Sequence, residues 1–377
     1  MTPNFVIPTR RLIRQGSSKG VLGTLRLEDV RDTLAKIEKK QDPIDHDRSL
    51  NQLHVDLNGG QMTASWLNLN GISSEEMLVS KIGAEGLAGE VLPAHFFGGL
   101  KTLAEMDSDG EKLATMAWAK FANKSTEPSF VRTVKMAVPG GPKEGRRVIR
   151  SRHSQSYATY SHLEFVQAML DSGHYGSMPV IDWSLSDAVI RVRFAGCKEG
   201  QIELNKPIPM TEGWNSEVGK RKVVLKGGIW KLVCTNGMGS WDSRSEFSWI
   251  HRGDCGRIKK GVKDAFQNLQ ISSSGVLTAY NEALEISIQN AFEWMTQQLT
   301  QQKQPLHIVK AAQNALHDPT TTPGGKLASV CDAVTLIAQD ATNMIDQYEL
   351  ERLAASILHK GRGIALRHNG KIPVIAA

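Results

Sequence analysis

Residues 188–194 read Ala188-Val189-Ile190-Arg191-Val192-Arg193-Phe194, and residues 223–234 read Val223-Val224-Leu225-Lys226-Gly227-Gly228-Ile229-Trp230-Lys231-Leu232-Val233-Cys234. Apolar and basic residues alternate in the first stretch. That is the period-two pattern of a half-buried strand, and it sets Arg191 and Arg193 on one face together. The second stretch reads as two strands around a hairpin turn at Lys226-Gly227-Gly228, with Trp230 and Val233 in the core. The two stretches together predict a central antiparallel sheet.

Working outward, Thr24 to Lys40 forms an amphipathic helix, with Leu27, Val30, Leu34 and Ile37 three or four apart. Strands are expected at 61–69, 130–138 and 147–149. Ser73 with Glu76, and Ser161 with Glu164, are capping boxes, each predicting the start of a helix. Further helices are expected near 94–106 and 111–120. From Arg257 onward the spacing is helical. Leu277, Tyr280, Leu284, Ile288, Ala291, Met295 and Leu299 share one stripe, and two more helices fall within 326–360. The expected fold class is α+β, a central antiparallel sheet with a helical C-terminal third. The expected regions are an N-terminal arm and helix (1–60), a mixed α+β core (61–270) and a helical C-terminal region with a basic tail (271–377).

The chain has 377 residues, 40% hydrophobic and 22% charged, which suits a globular protein with one large core or two smaller ones. No apolar run of about 18 residues predicts a membrane span, and Met1 to Arg14 lacks the apolar core of a secretory signal. The four cysteines, Cys197, Cys234, Cys255 and Cys331, are far apart with no C-x-x-C, which argues against a zinc site and suits a reducing cytoplasm.

The formal charge of +6 is unevenly spread. Residues 219–263 hold eleven basic and three acidic groups, whereas residues 264–358 hold four and ten. Basic clusters attract phosphate backbones through charge neutralisation and counterion release. Candidate nucleic-acid contacts are Arg150, Arg152, Arg191, Arg193, Lys220, Arg221, Lys222, Lys226, Lys231 and Arg252. The competing reading is a solvated surface balanced by the acidic blocks.

No phosphate-cradling G-x-x-x-x-G-K-[ST] occurs, since Gly324-Gly325-Lys326 is followed by Leu327 and lacks the upstream glycine. No nucleotide or metal cofactor is expected. Asp242, His251 and Asp254 form a candidate hydrolytic metal trio, against which stands Asp254 as a helix cap. Glu38-x-Lys40 has the closing spacing of a nuclease motif but sits on a helix.

The most specific local pattern is Asn215-Ser216-Glu217-Val218-Gly219, then Cys234-Thr235-Asn236-Gly237-Met238, then His251-Arg252-Gly253. It resembles the phage/plasmid-like domain family of unknown function, with its "NSE-x-G", "CTNG[ML]" and "H-x-G" segments. Arg150-Ser151-Arg152 resembles the family's upstream basic region, and Asp332-Ala333-Val334-Thr335 its "NAVT" helix, with Cys331-Asp332 in place of the asparagine-containing lead-in. The resemblance spans roughly 70–360 and implies a mobile-element origin with no established activity. The residues also have a structural reading, with Asn236-Gly237 as a turn signal and His251 as a satisfied structural histidine.

The expected function is a phage- or plasmid-encoded nucleic-acid-binding protein, its concrete form ATP-independent single-stranded DNA annealing in recombination. That role needs a basic groove, tolerance of any base and a homo-oligomer, in the host cytoplasm. The alternatives are a metal-dependent nuclease and a structural or host-interaction protein that binds other proteins.

Overall fold

The computed structural model describes residues 26–58, 61–67, 75–92, 96–126, 128–135, 146–172, 179–186, 188–197, 201–203, 206–233, 236–319, 321–322, 324–341 and 344–373. The chain opens with helix α1 (Leu27–Gln41), which buries Leu27, Val30 and Leu34 as the spacing predicts. Strands β1 (Ile44–Ser49), β2 (Leu53–Asn58), β3 (Gln61–Trp66) and β4 (Met77–Val79) follow, then helices α2 (Lys81–Val91), α3 (Phe96–Ala104) and α4 (Ser108–Ala122), and strands β5 (Pro128–Lys135) and β6 (Arg147–His153). The six strands form one sheet in the order β1-β5-β6-β4-β3-β2. The β4–β6 pair is parallel and the other pairs are antiparallel. Leu53, Val55, Met62, Ala64, Val131 and Ile149 of this sheet share a core with Leu87, Ala88, Leu100, Ala114 and Trp118 of the three helices.

The expected helix start at Ser73 is corrected. Ser73 lies outside the described residues, Met77–Val79 is a strand, and α2 is capped by Ser80, whose hydroxyl accepts from Gly83 N at 3.0 Å. Ser73 and Ser80, seven residues apart, are both of a type that caps helices. The apolar run Met77-Leu78-Val79 decides between them, because it pairs with β3 and β6 and is fully buried. The arm expected over 1–60 contributes β1 and β2, the two edges of this sheet.

Helix α2 lies directly on the backbone of β6. A Cβ at Gly83 would stand 2.3 Å from Ile149 O, whereas one at Gly89 would meet nothing within 4 Å. Gly83→Ala therefore costs about 1–3 kcal/mol through overpacking, while Gly89→Ala gains up to about 1 kcal/mol of helix propensity. Urea unfolding of the two variants checks the opposite signs, and equal shifts refute the close approach.

Helix α5 (His162–Asp171) opens on the predicted capping box. Ser161 Oγ accepts from Glu164 N, and Ser161 N donates to Glu164 Oε2, both at 3.0 Å. Strands β7 (Val180–Leu185), β8 (Ile190–Ala195), β9 (Pro207–Asn215), β10 (Val223–Val233) and β11 (Asn236–Trp249) then make a five-stranded antiparallel sheet in sequential order. The fold class is as expected, α+β with a large antiparallel sheet.

The expected hairpin turn at Lys226-Gly227-Gly228 is corrected. Strand β10 runs through it, paired on both sides, with a shift of register against β11 between Lys226 and Gly228. The glycines serve that irregularity. The chain reverses instead between Val233 and Asn236, which pair with each other; Asn236 and Gly237 begin β11.

Helix α6 (Cys255–Glu285) is one element of 31 residues that crosses the expected boundary at 270/271. Ile258, Val262, Ala265 and Leu269 pack with α1, α5 and the apolar face of the five-stranded sheet. Ala279, Tyr280 and Ala283 pack in a second core with α7 (Ala291–Gln301), α8 (Leu306–Ala315), α9 (Leu327–Gln339) and α10 (Met344–Arg367). Between α6 and α7 the chain forms β12 (Ser287–Ile288), parallel to β13 (Lys371–Ile372). The stripe expected as one helix over 276–299 is thus broken at Ile286, because Ile288 N bonds Gly325 O at 2.7 Å and Asn290 caps α7. Tyr280, Ile288, Met295 and Leu299 of that stripe are buried in the helical core. No helix among the described residues is long and apolar enough to cross a membrane.

Candidate nucleic-acid interface and the polar hub beneath it

The alternation of β8 places Ile190, Val192 and Phe194 against α1, α5 and α6. Arg191 and Arg193 share the opposite face, as expected, but that face is covered by α10, and both residues are 2% exposed. Register explains what holds them. Across the five strands Asp182 pairs with Arg193, Arg193 with Glu212, Glu212 with Lys226, and Lys226 with Glu246, a ladder of alternating sign. Glu212 Oε2 accepts from Arg193 Nε at 2.6 Å and from Arg191 Nε at 2.8 Å, and its Oε1 lies 3.0 Å from Lys226 Nζ. The Trp214 indole also donates to Glu212 Oε1. From α10, Glu351 Oε2 accepts from Arg191 and Arg193, and Gln347 Oε1 accepts from Arg191 Nη1 at 2.9 Å.

Burial raises the cost of every charge here, yet the surrounding cations hold the Glu212 carboxyl below its ordinary range. Burial pushes the Lys226 ammonium down, opposed by Glu212. Lys231 is buried likewise, its Nζ 2.9 Å from Asp332 Oδ2, and Tyr280 donates to Asp332 Oδ1 at 2.7 Å. Asp332, from the segment resembling "NAVT", thereby ties α9 to β10 and α6. Four of the expected phosphate contacts, Arg191, Arg193, Lys226 and Lys231, are therefore corrected in role. Their charges are matched within the protein and sealed under the C-terminal helices, where no phosphate reaches them.

The remaining candidates divide in two. Arg150 is buried against Glu217, with Nη1 3.1 Å from Oε2, and Arg152 pairs with Glu90 at 2.9 Å and Ser129. Arg221 lies over the rings of Trp214, at 4.6 Å, and Tyr348, at 5.0 Å. Lys220 is exposed and pairs with Glu85. Lys222 and Arg252 are exposed. The pairing of Val223 with Trp249 brings them to the same end of the sheet, next to the start of α6, whose Arg257, Lys260 and Lys263 are exposed as well. Among the described residues none of these five cations has an ion-pair partner, whereas the neighbouring Lys259 pairs with Glu164 at 2.7 Å.

Beneath that end the motif residues assemble. Asn215 is fully buried; its Nδ2 donates to Tyr160 O at 3.0 Å and Ser161 O at 3.2 Å. Ser216 Oγ donates to Ala188 O at 2.6 Å and accepts from Lys220 N at 3.0 Å. Glu217 Oε1 accepts from His162 N at 2.6 Å, and Oε2 faces Arg150 at 3.1 Å and Arg132 at 3.7 Å. Those positive neighbours overcome burial and hold its carboxyl down to about 2. Gly219, at φ 70°, lies beside His153 and Tyr157, in a conformation only glycine adopts freely.

His251 Nδ1 meets Ala158 O at 3.2 Å, and its ring stacks on Tyr157 at 5.1 Å, which stacks in turn on His153 at 3.8 Å. Burial pushes the His153 and His162 rings down to about 4 and lowers His251 too. Of the metal trio, the Asp242 side chain lies outside the described residues, and Asp254 caps α6, accepting from Gly256 N at 2.9 Å. No group of three or more His, Cys, Asp or Glu among the described residues is placed to hold a metal.

Sequence reasoning missed Arg132, His162, His153 and Tyr157, which the fold brings to Glu217 and His251 from β5, the start of α5, β6 and the segment before α5. The only signal was their composition, two histidines and a tyrosine flanking a capping box, with nothing to say what they face. Compared with protein-family models, curated proteins and solved structures, the chain matches none.

Proposed function

We propose that the chain is a nucleic-acid-binding protein of a phage or plasmid, with single-stranded DNA as the favoured ligand, and that it binds at one end of the five-stranded sheet rather than on its face. The observation that carries this reading is the group Lys222, Arg252, Arg257, Lys260 and Lys263, all exposed and without an ion pair among the described residues, whereas Arg150, Arg152, Arg191, Arg193, Lys226 and Lys231 are matched by carboxylates of the chain. Unmatched exposed cations concentrated at one end of a rigid sheet supply the sequence-independent backbone attraction such a protein needs. Within this reading the alternating basic and acidic blocks set one copy against the next in a homo-oligomer.

The triple variant Lys222→Ala, Arg252→Ala, Lys260→Ala tests it. Fluorescence anisotropy with oligo-dT and with a mixed-sequence strand at several salt concentrations should show equally weakened binding of both and a salt slope shallower by about 2, at about 0.7 per lost contact. An unchanged slope in a variant with native circular dichroism removes the reading.

A further inference from the structure

Every tryptophan whose side chain is described is buried, with one exception. Trp249, the last residue of β11, is half-buried. Strand β11 is the edge of the five-stranded sheet, so among the described residues no strand pairs with its outer side. The register partner of Trp249 is Val223, the residue after Lys222. Its indole rests on α6 at Gly261. A Cβ there would stand 2.4 Å from Nε1 and 2.7 Å from Cε2, so only glycine admits the ring. Gly261 follows Lys260 and lies one helical turn from Arg257. The ring therefore bridges the two elements that carry the unmatched cations, the end of the sheet and the first turns of α6. Ile250, the next residue, is exposed as well.

The charge at this end favours a polyanion. Lys222, Arg252, Arg257, Lys260 and Lys263 stand with two exposed carboxylates, Asp254, which caps α6, and Asp264. Glu164 is taken up by Lys259. Cations remain in excess. Cations alone attract a duplex as readily as a single strand. What separates the two is access to the base faces, which a duplex keeps stacked inside. An accessible aromatic ring among phosphate-attracting cations holds single strands of any sequence, because every base has a π-face.

We infer that Trp249 is a stacking platform for one base of a single strand whose backbone is held by the neighbouring cations. The inference rests on the nucleic-acid reading and deepens it. It makes this end of the sheet selective for unpaired strands without making it selective for a base.

Trp249→Leu keeps an apolar group against Gly261 and removes the ring. Anisotropy should show oligo-dT bound at least about fivefold more weakly, the low end for one base–aromatic stack. The salt slope should stay parallel to that of wild type, because no phosphate contact is lost. The loss should be confined to the single strand and absent for a duplex of equal length, and Trp249→Phe should restore most of it. Quenching of tryptophan emission by oligo-dT reads the contact directly, and Trp249→Phe should remove most of the quench. Unchanged oligo-dT affinity in the leucine variant, an equal loss on the duplex, a changed slope, or a quench that survives in the phenylalanine variant each overturns the proposal. The equal loss would show that the ring only braces β11 on α6. Should circular dichroism show that Trp249→Leu does not fold, the quench in Trp249→Phe decides alone. Wild-type binding of oligo-dT, scored first, tells the failures apart. A chain that binds oligo-dT with none of these differences loses only the platform, and one that binds no strand loses the reading of function and the platform with it.

Discussion

Glu212→Gln lowers the unfolding free energy by about 3–5 kcal/mol, the range for breaking a buried ion pair by removing one partner. Glu212 is 0% exposed and is the carboxylate shared by Arg191, Arg193 and Lys226. With it, the buried group made up of these three cations and Asp182, Glu212 and Glu351 is neutral. Without it, a positive charge is left uncompensated beneath α10, where water cannot solvate it. Replacing a matched pair of the cluster by apolar residues of similar volume has a different expected result, because the desolvation cost disappears along with the attraction. The double change Glu212→Met, Lys226→Met removes one charge of each sign and leaves Arg191 and Arg193 facing Glu351 and Asp182, so it should recover much of the loss. Urea denaturation of wild type, single and double variants checks both signs, with Lys222→Ala as an exposed control expected within about 0.5 kcal/mol of wild type. A loss below about 1 kcal/mol for Glu212→Gln would refute the network's structural role.

The second large effect is acid lability. His153 and His162 titrate near 4 in the folded chain against an ordinary value of 6.5, because burial keeps the rings neutral. The unfolded state therefore binds protons first as pH falls, and stability present above pH 6.5 drains away as pH drops through about 4. At about 1.36 kcal/mol per pKa unit, each ring accounts for roughly 3 kcal/mol. Glu217 extends the loss to lower pH. Its folded value of about 2 lies below the ordinary 4.5, so its contribution is complete above 4.5 and is lost as pH falls through about 2. His162 lies 3.9 Å from Glu217, so the two contributions are coupled and do not simply add. Urea midpoints at pH 7.0, 5.5 and 4.5 should fall steadily, with His153→Phe flattening part of the decline. Equal midpoints at pH 7.0 and 4.5 would show that these rings are solvated.

The candidate site was only half legible. The segments Asn215–Gly219 and His251–Gly253 stood out by residue type, and the structure joins them. The residues that complete the hub, Arg132 and His162, stand on a strand and at a helix start whose own patterns were fully accounted for by secondary structure. A side chain's partner across a tertiary interface leaves no trace in the local period.

Local periodicity was enough for the α1 helix, the Ser161 capping box, the antiparallel sheet and the common face of Arg191 and Arg193, because each depends on neighbours a few residues away. It could not say what covers that face. An alternating apolar and basic strand reads the same whether its basic side meets water or a carboxylate, and here the carboxylate is Glu351, 158 residues beyond Arg193. The same limit governs Lys226-Gly227-Gly228, read as a turn but held straight by pairing with β9 and β11, and the stripe over 276–299, broken where Ile288 bonds Gly325. Sequence alone determined which residues carry charge and which way each strand faces. Tertiary structure alone decided which charges remain for a partner, since a cation's availability depends on whether folding has already brought it a counter-charge.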